Sequence, residues 1–328
     1  MFAFLCLVAG LFGAQASLAD GRSDPYQVTV PVPDRSAASR DSGFRAAMQI
    51  VAVRATGNRS ADINPALAPL VDAAGRFVQE YRYAPDGRLW VGFDGAAVER
   101  WLAQNQQPVW GRTRPLTFVW LTVQTGPVAG TVVTAADTSN LKAAIDAQAS
   151  ARGIDLAWPT AAYLQQNSLD YAAVVRADPA RLASIAKSLG AEGVLIGHTT
   201  AVTAAANVRW LHLFHAHGGE VVGAAEGVNL AADTYASMFA VSGGAMPVEI
   251  EVSGIGNVRD YAGVQHYLES LTIVSHVAVD GLSGGTVAFR IDARGGATSL
   301  ERTLALTGPL ERDAAGGAGG VMRFHLRH

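Results

Sequence analysis

The chain of 328 residues contains a single cysteine, Cys6, which lies in an uncharged stretch at the start of the sequence. Once that stretch is removed as a leader, the chain has no thiol, which excludes disulfides, thiolate nucleophiles and cysteine-ligated metals. Charge is also scarce: only 16% of the residues are Asp, Glu, Lys or Arg, and the net charge is −3. A near-neutral chain with interspersed signs argues against a nucleic-acid-binding protein, because such proteins carry a concentrated basic surface.

Long apolar runs are missing from the sequence except at its beginning. The first nineteen residues, MFAFLCLVAGLFGAQASLA, contain no charged side chain and end in small residues before Asp20. This layout is typical of a secretory signal peptide, although no Lys or Arg follows Met1, and a retained anchor is the alternative. No later run approaches the roughly 20 apolar residues that a membrane helix needs. We therefore expect a signal peptide over residues 1–19, a periplasmic protein, and no integral membrane span after cleavage.

The first predicted unit spans residues 20–108 and has the element order β-α-β-β-α. Strand alternation, helix caps and a proline-containing turn predict its elements. They are a strand over residues 26–32, a helix between Ser36 and Gly57, strands over 77–83 and 88–93, and a helix capped by Asp94. Trp90, on the second of the paired strands, is interpreted as a packing residue, as is Trp120 further along the chain.

The second predicted unit spans residues 109–244. Residues 117–123 are mostly apolar at both the odd and the even positions, and so are residues 194–197. This pattern indicates two strands that are buried on both faces of a sheet. Strand and helix signals alternate around them and predict a three-layer α/β sandwich. Later in the unit, Gly218-Gly219 is predicted to form the turn of a hairpin, because paired glycines favour such turns.

The third predicted unit spans residues 245–328 and follows a Gly-rich stretch, residues 242–247, that is interpreted as a flexible joint. Its elements are predicted in the order β-α-β-β-α-β, which is the ferredoxin-like order. The predicted fold class is thus α/β and α+β, with three small domains after the leader.

Three histidines occur close together in WLHLFHAH, at positions 212, 215 and 217. On a strand, His215 and His217 would share one face and His212 would point to the other. Zinc usually needs three or four protein ligands. The nearest further candidates are Glu220, across the turn, and His198, which lies at the carboxyl end of a central strand. We interpret His212, His215 and His217 as residues of a solvent-facing hairpin and predict no metal site, with these four histidines as the candidates if one exists.

Two short segments contain the candidate binding residues. Asp34 and Arg35 lie between a proline and the first helix, where a carboxylate and an arginine can also serve as a cap and a solvated side chain. Trp110, Arg112 and Arg114 lie at the join between the first two units. A Trp–Arg contact there is expected to hold the units together by cation–π packing, or alternatively to form a docking face. No catalytic residue and no cofactor are predicted.

Three short motifs resemble a bacterial family known as domain-of-unknown-function family 2066. They are VPVPDRS over residues 30–36, PVWGRTRP over residues 108–115 and AEGVLIG over residues 191–197. The resemblance implies an envelope protein but supplies no activity and no catalytic residue.

The sequence as a whole predicts an exported, non-enzymatic binding or assembly factor of the bacterial envelope, whose partner is another envelope protein. The alternative is an envelope hydrolase or metal-dependent enzyme with a site near His198 and the hairpin of residues 212–217. A third class, a protein that binds a small ligand between its domains, also remains open. An enzyme should show convergent titratable groups in a pocket, whereas an assembly factor should show an exposed apolar patch or an open sheet edge.

Overall fold

The structure is a computed structural model that describes residues 24–111, 114–271, 273–306, 308–313 and 321–327. The expected leader over residues 1–19 and the candidate binding residue Arg112 lie outside these ranges. Within them the chain forms three β-sheets and ten α-helices, so the fold is mixed α/β. None of the described helices is both long and apolar enough to cross a membrane.

The first sheet is three-stranded and antiparallel, with the strand order β1-β3-β2. Its elements are β1 (Gln27–Val30), α1 (Ala37–Thr56), α2 (Ala68–Asp72), β2 (Val78–Tyr83), β3 (Leu89–Phe93) and α3 (Gly95–Gln104). The predicted helix signals are confirmed. The Ser36 side chain caps α1 by accepting from the backbone N of Ser39, Gly57 ends this helix with a φ of 72°, and Asp94 caps α3.

One face of the first sheet is apolar and the other is open. Side chains alternate along a strand, so those of the apolar face pack with α1 into one core. The strand residues of this core are Val28, Val30, Leu89, Val91 and Phe93. The open face carries the intervening residues, of which Gln27, Thr29, Glu80 and Arg82 are exposed and Trp90 is half-buried.

The second sheet is six-stranded and has helices on both faces. Its elements are β4 (Thr117–Gln124), β5 (Gly130–Val132), α4 (Asn140–Arg152), β6 (Leu156–Ala157), α5 (Ala161–Gln166), α6 (Tyr171–Arg176), α7 (Pro179–Ser188), β7 (Gly193–Thr199), β8 (Arg209–Phe214), β9 (His217–Val222) and α8 (Glu226–Phe239). The strand order is β5-β4-β7-β8-β9, with β6 paired to β4. β4 and β7 run parallel at the centre and are buried, as predicted for both.

Two separate apolar cores lie against this sheet. One core joins its first face to α4 and α8, and the other joins its second face to α6 and α7. The helices α5 and α6 were not predicted. They are only six residues each, and helical periodicity over so short a length is not distinctive.

The hairpin of β8 and β9 turns earlier than predicted. Phe214 pairs with His217 across a two-residue turn of His215 and Ala216, so the glycines at 218 and 219 lie inside β9. The prediction of a Gly-Gly turn was wrong because the left-handed backbone conformation of the turn is adopted by His215, with a φ of 51°, and not by a glycine.

The third sheet is five-stranded, with the order β11-β12-β10-β14-β13. Its elements are β10 (Ala245–Ser253), α9 (Val258–Ser270), β11 (Val274–Ser283), β12 (Thr286–Arg294), α10 (Gly296–Leu306), β13 (Leu310–Arg312) and β14 (Met322–Leu326). β10 and β14 are parallel and the other pairs antiparallel. The short strand β13 was not predicted.

The core of this part lies between α9, α10 and one face of the third sheet. As predicted, Val248, Ile250 and Val252 point into it, while Glu249 and Glu251 point to the other face. That other face is polar: Glu251 forms an ion pair with Arg323 at 2.8 Å, and Asp280 forms one with Arg290 at 2.6 Å.

The two predicted joins between the units lie side by side. Val109 and Val241 form an isolated antiparallel bridge, with N···O distances of 2.9 and 3.0 Å. The second join is also shorter than predicted, because residues 245–247 already belong to β10. The predicted flexible joint therefore reduces to residues 242–244.

Candidate functional site

The three histidines of the hairpin do not converge. His212 is fully buried on β8, whereas His215 lies in the turn and His217 begins β9, and both of these are exposed. The expectation that all three face solvent was therefore wrong for His212. The expectation that His215 and His217 share a strand face was also wrong, because the chain reverses between them.

His212 belongs to a buried hydrogen-bond chain beneath α8. Its Nε2 lies 3.2 Å from the hydroxyl of Tyr235, which lies 2.7 Å from the Thr117 hydroxyl on β4. Burial lowers the pKa of His212 to about 4, so the ring is neutral at physiological pH. Burial also raises the pKa of Tyr235 far above its usual range. These groups hold one another in the core and are not accessible to a ligand.

His198 lies on the opposite face of the second sheet from His212. In the register of β7 with β8, Leu195 pairs with His212 and His198 pairs with Arg209. Side chains alternate, so residues 195 and 198 point to different faces. His198 hydrogen-bonds the Thr122 hydroxyl, and burial together with the nearby Arg209 charge lowers its pKa.

His198 also lies at the opposite end of β7 from the hairpin turn. Phe214, next to the turn, pairs with Gly193 at the start of β7, while His198 is five residues further on. At about 3.3 Å per residue the separation along the strand is roughly 16 Å. Among the described residues no three His, Cys, Asp or Glu side chains are grouped so that they could hold a metal ion.

The predicted contact between Trp110 and an arginine of the join is present. The guanidinium of Arg114 lies over the Trp110 ring, 3.9 Å from its centroid, and both side chains are buried. Arg114 Nη2 donates to the carbonyl of Arg54 at 2.7 Å, and Trp110 N donates to the carbonyl of Ala55 at 2.6 Å. Both carbonyls belong to α1, so the contact ties the join to the first helix.

Two further buried arginines connect α1 to the helices of the second sheet. Arg54 donates to the carbonyl of Gln27 at 2.8 Å and to that of Ser150 in α4 at 2.7 Å. Arg152 donates to the carbonyl of Gly57 at 2.9 Å and to the Asp233 carboxylate in α8 at 2.7 Å. Burial lowers the pKa of Arg54 and of Arg114 to about 10. The arginines at this junction therefore have a structural role: they connect α1 to the join and to the helices of the second sheet.

Sequence reasoning missed Arg54 and Arg152. Each lies within three residues of a glycine that ends a helix, where a cation is normally interpreted as a solvated partner of the helix dipole. For Arg54, the neighbouring residues do carry a signal. This arginine lies in the apolar run VAVRAT, which indicates burial.

Asp34 and Arg35 lie beside the outer strand of the first sheet. The Asp34 carboxylate accepts from the backbone N of Ser36 at 2.8 Å, and the nearby serines lower its pKa to about 2. The Arg35 guanidinium lies over the Tyr83 ring, 5.0 Å from its centroid. Asp34 thus orders the start of α1, while Arg35 belongs to a larger surface.

Three arginine–aromatic pairs lie around β2, two on one side of the sheet and one on the other. Arg35 covers Tyr83 and Arg40 covers Tyr81, at 5.0 and 5.6 Å, on the side of the sheet that α1 occupies. On the open face, Arg82 lies 3.7 Å above the Trp90 ring. We call the open face with Gln27, Thr29, Glu80, Arg82 and Trp90 the Trp90 face.

The indole of Trp90 reaches along β3 toward Gly92. A Cβ at Gly92, two residues along the strand, would be 3.0 Å from the Cη2 of Trp90, so the ring occupies the space beside this glycine. The Arg82 guanidinium lies over the same ring. Trp90 thus packs on the surface of its sheet and is half-buried, whereas Trp120 is fully buried in the second sheet.

Two depressions on the described surface do not join the predicted units. One, of about 390 Å³, is lined by residues of β5, α5 and α6, among them Thr131, Leu164 and Tyr171. The other, of about 280 Å³, lies between α1 and residues 72–76. Each is confined to one predicted unit.

Comparison with known families finds a match for the first part of the chain. Residues 19–111 match the family described as domain of unknown function DUF8605. This finding corrects the resemblance to family 2066, which rested on three short motifs that are weak individually. The matched residues contain the whole first sheet with the Trp90 face, and they end just after Trp110. No curated protein matches the chain.

Proposed function

We propose that the protein is an exported, non-enzymatic binding or assembly factor of the bacterial envelope, and that it holds another envelope protein on its Trp90 face. The observation that carries the proposal is the Arg82–Trp90 contact on a sheet face that no other described part of the chain covers. Tryptophan and arginine are the residues that most often dominate the energetics of protein interfaces. The leader-like stretch over residues 1–19 supports the compartment.

The partner is expected to present a carboxylate to Arg82. Contact with the indole restrains the guanidinium on this face, and its N–H groups remain available as donors. In the part of the chain that the structure describes, no carboxylate pairs with Arg82, whereas Arg88 on the same hairpin is paired with Asp86 at 2.7 Å. A pre-oriented guanidinium binds a carboxylate through two parallel hydrogen bonds, which adds direction as well as affinity.

We also propose that the chain forms three domains, over residues 20–108, 109–244 and 245–328, and that the last of them is ferredoxin-like. The antiparallel strand order β11-β12-β10, with α9 and α10 packed into one core, supports that unit. The parallel pairing of β14 with β10 and the additional edge strand β13 depart from it. The separate apolar cores of the first and third sheets support the domain division.

The test is site-specific photocrosslinking in living cells. A photoreactive residue replaces Thr29, which is exposed on the Trp90 face and lies opposite Trp90 across the strands. A matched probe replaces Glu249, which is exposed on the polar face of the third sheet. We expect one envelope protein to be captured from position 29 and not from 249, and to be lost when Trp90→Ala or Arg82→Ala is added.

Two outcomes would contradict the proposal. One is capture that is equal from both positions or insensitive to Trp90→Ala. The other is recovery of the chain in the cytosolic fraction with residues 1–19 still attached. Mixing the captured protein with the purified chain, and measuring affinity for the parent and for Trp90→Ala, separates direct binding from proximity.

A further inference from the structure

The outer edge of the first sheet is unpaired. β2 is the last strand in the order β1-β3-β2, and β3 is its one partner among the described residues. Tyr81 in the middle of β2 is 46% exposed although its ring touches Phe44 of α1, at 5.4 Å between centroids. An exposed edge with a large aromatic side chain is a template for a further strand.

The hydrogen-bond alternation shows which backbone groups of β2 face outward. Ala84 N donates to the carbonyl of Arg88 across the hairpin, at 2.8 Å. In an antiparallel pair, residues alternate between bonding inward and pointing outward. Arg82 therefore bonds to β3, and the N–H and C=O groups of Tyr81 and Tyr83 point away from the sheet.

The charges along β2 are self-complementary in one register. When two copies of β2 pair antiparallel about a two-fold axis through Tyr81, Glu80 faces Arg82 of the second copy, and Arg82 faces its Glu80. When the axis is moved to residue 80 or to residue 82, identical charges face each other. Opposite charges at facing positions stabilise a strand pair and like charges destabilise it, so the sequence of β2 favours the Tyr81 register.

This pairing would also extend the Trp90 face. Facing residues of an antiparallel pair lie on the same side of the sheet, so the two-fold axis is perpendicular to it. The two Trp90 faces then form one continuous surface of six strands, and the two α1 helices lie together on the other side. No backbone bond within either copy has to be broken.

We propose that β2 pairs with β2 of a second copy of this chain, with Tyr81 on the two-fold axis, to form a six-stranded sheet. The strand that pairs with this edge is thus β2 of a second molecule of the same protein. This inference goes beyond the proposed function, which places a different protein on the Trp90 face. Arginine has five N–H donors, so Arg82 can bind Glu80 of the second copy and a carboxylate of that protein at the same time.

A charge swap tests the register. Sedimentation velocity of the purified full chain across a range of concentrations should show a dimer. Glu80→Arg or Arg82→Glu alone should weaken it at least tenfold, because like charges then face each other, and the double variant Glu80→Arg/Arg82→Glu should restore it to within about threefold. Glu220→Arg, the same change on the exposed outer strand β9, is the matched control and should leave the dimer intact.

A disulfide tests the geometry. With Cys6→Ser, a cysteine introduced elsewhere is the chain's only thiol. At Tyr81 the two Cα atoms would lie about 5.5 Å apart, within the range of a disulfide. At Tyr83 the two copies would be separated by about four residues along the strands, roughly 13 Å. Tyr81→Cys should therefore form a crosslinked dimer on mild oxidation, and Tyr83→Cys should not.

A monomer at every concentration would overturn the pairing, as would a dimer unaffected by both single charge changes or equal crosslinking from positions 81 and 83. Failure here is distinct from failure of the proposed function. Trp90→Ala should abolish partner capture and leave the dimer in place, whereas a monomer that still captures its partner would overturn only the β2 pairing.

Discussion

Gly193 on β7 lies directly against the hydroxyl of Tyr235 on α8. A Cβ at this glycine would overlap the phenol oxygen, which is held in place by the hydroxyl of Thr117 and the ring of His212. The close approach between the sheet and α8 therefore depends on a residue without a side chain.

Gly193→Ala should destabilise the fold by about 1–3 kcal/mol, because the added methyl overpacks a rigid core. Tyr235→Phe alone should cost about 1 kcal/mol through lost hydrogen bonds. The double variant should cost less than the sum, by at least about 1 kcal/mol, because removing the hydroxyl frees the space that the methyl needs. Urea unfolding of all four proteins measures this coupling, and additive costs would show that the two positions do not meet.

The buried ring of His212 should make stability depend on pH. Its pKa is about 4 in the folded chain against 6.5 for an unperturbed histidine, so the unfolded state binds more protons between these values. Stability is full above pH 6.5 and falls as the pH drops toward 4, by up to about 3 kcal/mol from this group. Compared at pH 7 and pH 4.5, His212→Leu should lose less stability than the parent.

The matched control for this pH effect is His217→Leu, on an exposed position of the same hairpin. It should keep the parent's pH dependence, and both variants retain His198, whose pKa is also lowered. If His212→Leu lost as much stability between pH 7 and pH 4.5 as the parent does, the His212 ring would take up its proton at the same pH in the folded and the unfolded protein.

The Trp110–Arg114 contact should be a main source of stability at the junction. Trp110→Ala should cost about 3–5 kcal/mol, because it leaves a cavity next to a buried guanidinium. Trp158→Ala removes a half-buried indole that carries a similar cation–π contact with Lys142, at 5.1 Å, and should cost distinctly less. Denaturant midpoints compare the two variants; equal shifts would mean that Trp110 is no better packed than a surface indole.

The turn of the hairpin should tolerate asparagine and reject a β-branched residue at His215. This residue has a φ of 51°, in the left-handed region. His215→Asn should keep the melting temperature, since asparagine adopts this conformation readily, whereas His215→Val should lose about 1–2 kcal/mol. His217→Val, on the adjoining strand, serves as the control. Similar effects of the two valine changes would place the turn elsewhere.

Local sequence patterns predicted most of the secondary structure. The caps at Ser36 and Asp94 and the stop at Gly57 are where the pattern put them, because a cap depends on neighbours within four residues. The buried strands β4 and β7 were also recognised, since a strand covered on both faces must be apolar throughout. The hairpin turn was misplaced because paired glycines are the stronger local signal for a turn, whereas here His215 adopts the left-handed conformation.

The candidate site was less predictable. Arg35 was singled out from the sequence and does lie beside β2, but Arg82 and Trp90 looked like ordinary strand residues. Their stacking depends on the pairing of β2 with β3, which places them opposite each other. His198 and His212 illustrate the converse: fourteen positions separate them in the chain, yet the sheet lies between their side chains.

The sequence by itself determined the longer helices and strands, which of their faces are apolar, and that no thiol lies beyond Cys6. Those properties follow from short-range spacing and from composition. Only the tertiary structure decided which side chains meet: that Arg54, Arg114 and Arg152 are buried ties, that His212 faces Tyr235, and that the Trp90 face has no cover within the described residues. The physical reason is that a contact between distant residues depends on strand register and on the packing of helices over the sheet. Neither is fixed by any local pattern of residue types.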